Sequence, residues 1–226
     1  MITGLRPETF ENLQTNAGAF LRNFDWSKFA TVEELEDAVI AALDEIKHLV
    51  GATIGGGSFQ CTPTTRNIEA DGMRGPIVGS TVVDMWTVKL TGTMKECRPQ
   101  NFKDVLICAD MKTNDAGNIT TIKVRTSIKE SDYIPSMCWV GDTSRGLVLI
   151  DLKNVLNLTG ANFTFTDKGE GSMPFEFQAH AKDLKDMEFA PVEIVFFDEQ
   201  EEAAEDDGED PAQGEDPAQG EGQTQE

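Results

Sequence analysis

Apolar positions along the chain follow two different periods, and the change between them divides the sequence. Over residues 31–50 the period is helical. Leu35, Val39, Ala42, Ile46 and Leu49 recur at three- and four-residue steps, while Glu33, Glu36, Asp37, Asp44 and Lys47 occupy most of the opposite face. Thr31 precedes Glu34 by three, the spacing of a capping box, and Gly51 stands where a helix end favours a residue tolerant of positive φ. This pattern predicts one amphipathic helix that packs a single face on a core.

From residue 51 to 197 the period is two. In 81–95, Val82, Trp86, Val88, Leu90 and Met94 share one face, and Thr81, Thr87, Lys89, Thr91, Thr93 and Lys95 share the other. Asp84 interrupts the apolar face, as a strand start or bulge does. The pattern returns at 161–167 with Phe163 and Phe165, at 173–181 with Met173, Phe175, Phe177, Ala179 and Ala181, and at Val192, Ile194 and Phe196. Shorter strands are predicted at 53–61, 65–70, 118–128, 137–141 and 146–151. Turn-forming runs at 115–118, 141–142 and 167–171 separate them. Pro99 followed by 101–107 fits one short second helix.

Residues 1–30 show no period. They hold a compact apolar group of Phe10, Leu13, Phe20, Leu21, Phe24, Trp26 and Phe29. Such a segment reads as an arm or long loop that docks on something, or as the first strand of the core with NAGAFLRNF as its extended part. Eight to ten short strands with one or two helices predict a mainly β fold. The expected form is a β-sandwich or partly closed β-barrel with one flanking α-helix at about 32–50. The absence of an alternating βα rhythm speaks against a doubly wound sheet. The expected organisation is a β domain over 1–197 (arm or loop 1–30, helix 31–50, strands 51–197) followed by a tail over 198–226.

Charge sharpens that boundary. The 226 residues carry 19 Lys plus Arg against 40 Asp plus Glu, a formal net charge of −21. Residues 198–226 hold 13 of the acids and no Lys, Arg or His, which leaves a net charge of about −8 over 1–197. The tail repeats GEDPAQ at 208–213 and 214–219 and then GEGQTQ, with no large apolar residue after Phe197. It cannot bury enough area to offset its ordering entropy, so disorder is expected. A duplex-binding module held by a basic surface is disfavoured, because phosphate contacts need Lys and Arg. No apolar run approaches the roughly 18 residues of a membrane span, so no membrane association is expected. The first residues lack the basic-then-apolar order of a secretory signal. Cys61, Cys97, Cys108 and Cys138 contain no CxxC pair and read as reduced, partly buried thiols.

Candidate chemistry is sparse. The run Gly51-Ala-Thr-Ile-Gly-Gly-Gly-Ser58 lacks the Lys-Ser/Thr ending of a phosphate loop, and a strand follows it. Its glycines fit a backbone bend or the close approach of another chain. Asp71, Asp84, Asp110, Asp132, Asp142 and Asp167 sit beside glycines, turns or strand ends, as solvated carboxylates do, and Lys112 spoils a calcium loop starting at Asp110. No serine lies in a GxSxG elbow, and His48 and His180 have no partner motif. His180 falls on the polar face of its strand. No catalytic, cofactor-binding or metal-ligating residue is expected, and the chain does not read as an enzyme. The segment 66–80 differs. It mixes charge signs, glycines and Pro76 with exposed-looking Met73 and Ile77. A loop laid against a neighbouring subunit and an ordinary solvated loop both fit it.

Six stretches carry a family likeness: NAGAFLRNFD (16–25), GATIGGGSFQCTP (51–63), IEADGMRGPIVGS (68–80), DMWTVKLTGTMKE (84–96), FTFTDKGEGSMPFEFQAH (163–180) and APVEIVFFD (190–198). In order, they resemble the tail tube, or major tail, proteins of long-tailed bacteriophages and prophages. The likeness covers almost all of 1–198, and its specificity lies in the series, since no single motif is diagnostic. It implies a β-sandwich or barrel with one flanking helix, a virion (tail) location, synthesis in the bacterial host cytoplasm, and stacked, hexameric rings whose lumen conducts DNA. It also implies tape-measure and tail-completion proteins as partners, and no cofactor. An N-terminal arm and a long loop typically make ring-to-ring contacts in that family. By resemblance the contact candidates here are Phe20, Leu21 and Phe24, and Asp71, Met73, Arg74, Pro76 and Ile77. The acidic repeat departs from the family pattern. Two rival classes share the composition: another virion part, such as a head–tail joining or head decoration protein, and a monomeric carbohydrate-binding β-sandwich. The placement of Trp86 on a core-like face speaks against the second.

Overall fold

A computed structural model describes residues 9, 13–14, 16–44, 48–143 and 146–198. The expected disorder of the tail beyond Asp198, the aromatic Phe10 and the helical positions Ile46 and Lys47 lie outside the described residues. The fold is mainly β, an open β-sandwich with a flanking helix. Its strands are β1 (Ala19–Arg22), β2 (Thr53–Asn67), β3 (Thr81–Met94), β4 (Ala109–Thr113), β5 (Thr120–Val124), β6 (Ile134–Thr143), β7 (Gly146–Asn157), β8 (Met173–Gln178) and β9 (Val192–Asp198). The helices are α1 (Val32–Asp44) and the short α2 (Pro99–Val105).

Seven strands form one antiparallel sheet in the order β1-β6-β7-β8-β3-β2, with β9 also on β7; β4 and β5 form a separate hairpin. β7 bends this sheet into two layers. Its first half, Gly146–Leu152, lies between β6 and β9, and its end, Leu156–Asn157, pairs with β8. Between them Asn154 takes φ 47°, a kink of the kind that lets a strand change sheets. The two layers enclose a core of Phe20, Leu90, Met94, Met137, Leu152, Met173, Phe175 and Phe177. Strand alternation sends the intervening residues to the other side of the first layer. There Leu21, Cys138, Val140, Leu147 and Leu149 meet Leu35, Val39 and Ala42 of α1 in a second core. The outer face of the second layer stays polar.

The helix starts as expected. The Glu34 amide donates to Thr31 Oγ1 at 3.3 Å, and Glu34 Oε2 accepts the amide of Ala30 at 3.0 Å, one residue earlier than a standard box. Its end differs from the expectation. Among the described residues α1 spans Val32–Asp44, and Leu49 bridges Leu21 while the Val50 amide donates to Phe20 O at 3.0 Å. Residues 48–50 therefore cover the outer edge of β1, which takes Leu49 off the helical stripe, and Gly51 leads into β2 instead of capping the helix.

Other boundaries change as well. The expected strands 53–61 and 65–70 are one strand, with Pro63 opposite Trp86 and a register shift at Thr64/Thr65. The stretch 161–167 makes only the bridge Thr164–Ser172, and Phe165 is exposed. β4 was not expected, since Ala-Asp-Met-Lys-Thr is short and polar. Of the two readings of residues 1–30, the core strand holds for the NAGAFLRNF stretch.

The glycine-rich stretch is used within the subunit. At Gly57 a Cβ would stand 2.8 Å from Phe20 Cζ, and at Gly92 one would stand 2.9 Å from Phe175 Cε1. Those two positions let the rings enter the sandwich. Gly55 and Gly56, at φ 76° and 71°, form the irregularity where β2 leaves register between Thr53 and Gly57.

Candidate assembly surface

The β2–β3 hairpin extends past the body. β3 pairs with β8 only from Lys89 to Met94, so from Thr87 outward it is paired with β2 alone. Six further residues to Thr81 at ~3.3 Å each give an arm of about 20 Å before the loop begins. Among the described residues the outer edge of β2 has no partner strand, nor has that of β9. An unpaired edge is a template for another chain unless it is blunted.

The arm is apolar without being buried. Ile68 is 50% exposed, Ile77 64%, Met85 58% and Trp86 42%, and Val78 and Val83 are exposed too. This corrects the reading of Trp86 as a core residue. Alternation along 81–95 does set one apolar face, but the first layer covers it only from Val88 inward. Arg66 Nε lies 2.8 Å from Asp84 Oδ1 across the hairpin, in a partly exposed pair that contributes little to stability.

Residues 68–80 form the tip. The Ile68 amide donates to Ser80 O at 2.7 Å, the Met73 amide to Ala70 O at 3.1 Å and the Ile77 amide to Ser80 Oγ at 3.2 Å, which folds the loop on itself. Asp71, Arg74, Pro76 and Ile77 are exposed and Met73 is half-buried. Phe20, Leu21 and Phe24 are placed elsewhere. They are 1%, 0% and 8% exposed and fill the two cores, with Phe20 edge-on to Phe175 at 5.3 Å between centroids. Inward-facing side chains of a core strand have no surface to offer a neighbour. The structure thus brings the five loop candidates together and separates them from the three aromatic-arm candidates.

Several buried polar groups had no signal in the sequence. Arg22, on β1, reaches Asp104 and Asn101 on α2, with Nη1 2.7 Å from Asp104 Oδ2 and Nη2 donating to Asn101 Oδ1 at 2.6 Å. Asp151 is buried between Ser136 Oγ and Lys153 Nζ, each at 2.6 Å. Asp132, read as a solvated carboxylate, is 6% exposed and bound by Arg125 and the Lys129 amide. Burial pushes its carboxyl up, but those donors outweigh burial and hold it below the usual range. Burial and the neighbouring Asp151 push the Cys138 thiol well above its ordinary value. The Nδ1 of His180 lies 3.2 Å from Asn154 O and its ring packs edge-on to Tyr133. Arg22, Asp104 and Asp132 line one small cleft of about 160 Å³ together with Gln100, Lys103 and Tyr133, and the other groups tie elements together away from it. Among the described residues no group of three His, Cys, Asp or Glu stands close enough to hold a metal ion, and no helix is long and apolar enough to cross a membrane.

A second apolar surface was missed in the sequence. Leu184, Met187 and Phe189 are 86%, 65% and 77% exposed around a short helical turn at Leu184–Glu188. No protein-family model matches the chain, and no curated protein matches it.

Proposed function

We propose that this chain is a structural virion protein that assembles into stacked, hexameric rings forming the tail tube of a long-tailed phage or prophage, through which DNA passes. The observation that carries this reading is the β2–β3 arm with its loop, which leaves Met85 and Trp86 on the arm and Ile68, Ile77 and Val78 in the loop uncovered, beside the unpaired outer edge of β2. Exposed apolar groups on this scale mark an interaction surface. A heterologous contact made by such an arm closes into rings or extends into filaments. The resemblance of the sequence series to tail tube proteins supplies the identity of the assembly, its tape-measure and tail-completion partners, and its place in the virion tail. No enzymatic activity, cofactor or membrane contact belongs to this reading.

DNA passage needs a wall that does not hold phosphate. On the polar face of the second layer, Lys89 Nζ lies 2.7 Å from Glu176 Oε1 and Lys95 Nζ 2.7 Å from Glu170 Oε2. Pairing removes both cations as counterion-releasing sites. With the net charge of about −8 over residues 1–197, this supports a non-adhesive lumen. A map of the assembled tube with a strongly basic lumen would overturn that part of the proposal.

The exposure of Trp86 favours one other reading, a carbohydrate-binding β-sandwich with the indole as a stacking platform. A fluorescence titration with oligosaccharides separates the two: a saturable shift in Trp emission supports the binding module, and no shift is expected of a tube subunit. A head–tail joining or head decoration protein would share the fold and yield no tubes by electron microscopy.

A further inference from the structure

Among the described residues the first layer ends in a strand that is apolar on both faces and open at its edge. From Val192 to Phe197, β9 carries a single charge, Glu193. Val195 and Phe197 pack in the core under α1. Ile194 and Phe196 stand opposite Ile150 and Val148 on the other face, where they are 49% and 67% exposed. The outer edge of β9 has no partner strand. Short runs of β-branched and aromatic residues at an open edge pair readily with copies of themselves.

The other open edge of the sheet is blunted within its own strand, and that of β9 is not. β2 contains Pro63, which has no amide to donate, and leaves register with β3 between Thr53 and Gly57 and again at Thr64/Thr65. β9 contains no proline, Lys or Arg, and pairs with β7 in unbroken register from Val192 to Asp198. Its charge follows it instead. Residues 199–226 hold twelve Asp and Glu and no Lys, Arg or His, and eight of the twelve fall within 199–210. The segments flanking this end of β9 do not offset them. Trp26 packs on Phe197, and its neighbour Lys28 is held by Asp25; the turn between β6 and β7 adds Asp142 and Arg145, which balance in sign.

We infer that the acidic segment 199–226 guards the β9 edge, holding it by charge repulsion from pairing with the β9 edge of a second copy. The seven residues of β9 span about 23 Å at ~3.3 Å each, so in either orientation two paired β9 strands bring their acidic segments out within about 23 Å of each other. That distance lies inside the Debye length of ~30 Å at 0.01 M salt and far outside the ~3 Å at 1 M. The guard acts at a different edge from the β2–β3 arm and excludes a contact that no use of the arm requires, so it does not depend on the function proposed above.

Sedimentation velocity of the full-length chain carrying Ile77→Asp, which takes the arm out of play, tests it. Replacing the twelve carboxylates of 199–226 by Gln and Asn, at constant length, is expected to lower the concentration for half-association at least tenfold in about 0.01 M salt. Raising the salt to about 1 M should bring the protein with its acidic segment intact to the same behaviour, with no substitution beyond Ile77→Asp. Ile194→Lys, which puts a charge on the edge strand itself, should return the neutralised protein to monomer, while circular dichroism verifies that each variant is folded. A neutralised protein that associates no more readily than the acidic one, or whose association survives Ile194→Lys, would overturn the inference. Both results are read with the arm disabled, so they leave the tail-tube reading, which is tested with Ile77 intact, untouched.

Discussion

Arg22 and Asp104, 82 positions apart in sequence, meet at 2.7 Å between Nη1 and Oδ2 with each side chain only 4% exposed. Gln100 Nε2 donates to the other carboxylate oxygen at 2.7 Å, and Asn101 Nδ2 donates to Val50 O and Glu96 O at 2.9 and 3.0 Å. The first strand is thereby tied to the short second helix across the end of the sandwich.

Removing one partner of that pair strands the other in a dry site. Asp104→Ala is expected to cost about 3–5 kcal/mol in urea unfolding, and the double variant Arg22→Met/Asp104→Leu to recover much of it. A loss below about 1 kcal/mol in the single variant would show that the pair is solvated in solution.

Asp132 gives a pH dependence of definite sign. Its folded carboxyl is held below the ordinary 3.8, so the unfolded chain binds more protons between the two values. The stability it contributes is complete above the unfolded value and is lost as pH falls through the folded one. Unfolding free energies of wild type and Asp132→Asn should differ near neutrality and converge in strong acid. Curves that stay parallel below pH 4 would refute the linkage.

Thiol reactivity should follow burial. Cys97 is exposed, while Cys108 and Cys138 are buried and burial raises the Cys138 thiol. Under native conditions at pH 8 a thiol-reactive dye is expected to label Cys97 first, with Cys138 protected until urea unfolds the chain. Mass-spectrometric mapping that found early label on Cys138 would contradict its placement under α1.

Gly57 is a packing position. Gly57→Ala places a methyl group against the Thr91 carbonyl oxygen and the Phe20 ring and should cost about 1–3 kcal/mol by overpacking. Thermal unfolding reads this directly, and a neutral result would mean that neither the Thr91 backbone nor Phe20 approaches Gly57 this closely.

Much of the fold was legible because short-range signals agree with it. Thr31 with Glu34 started α1 where the structure starts it, and alternation correctly put Val88, Leu90 and Met94 on one face. Periodicity records which side chains share a face, but nothing about whether a second layer covers that face. Trp86 therefore read as core although the hairpin carries it into solvent. The same limit hid the burial of Phe20, Leu21 and Phe24, whose aromatic cluster fits a docking arm as well as a core strand. Phe163 and Phe165 alternate like a strand but pair through a single bridge, their rings stacking edge-on at 4.9 Å. The Arg22–Asp104 pair left no local trace, because only the packing of β1 on α2 brings the two together. The loop 68–80 was legible as a loop, because glycines and Pro76 stand between two strands, while a contact loop and an ordinary solvated loop fit its apolar side chains equally.

The assembly reading separates two kinds of apolar substitution. Phe20→Ala opens a cavity in the sandwich and should cost about 3–5 kcal/mol of folding stability. Ile77→Asp lies on an exposed loop and should change stability by no more than about 0.5 kcal/mol, yet prevent association. The most direct measurement is electron microscopy, with sedimentation velocity, of the purified full-length protein beside Ile77→Asp at the same high concentration. Rings or tubes in the wild type, and a folded monomer in Ile77→Asp, are the expected result. A wild type that stays monomeric even with a tail-completion protein to nucleate it would contradict the tail-tube function.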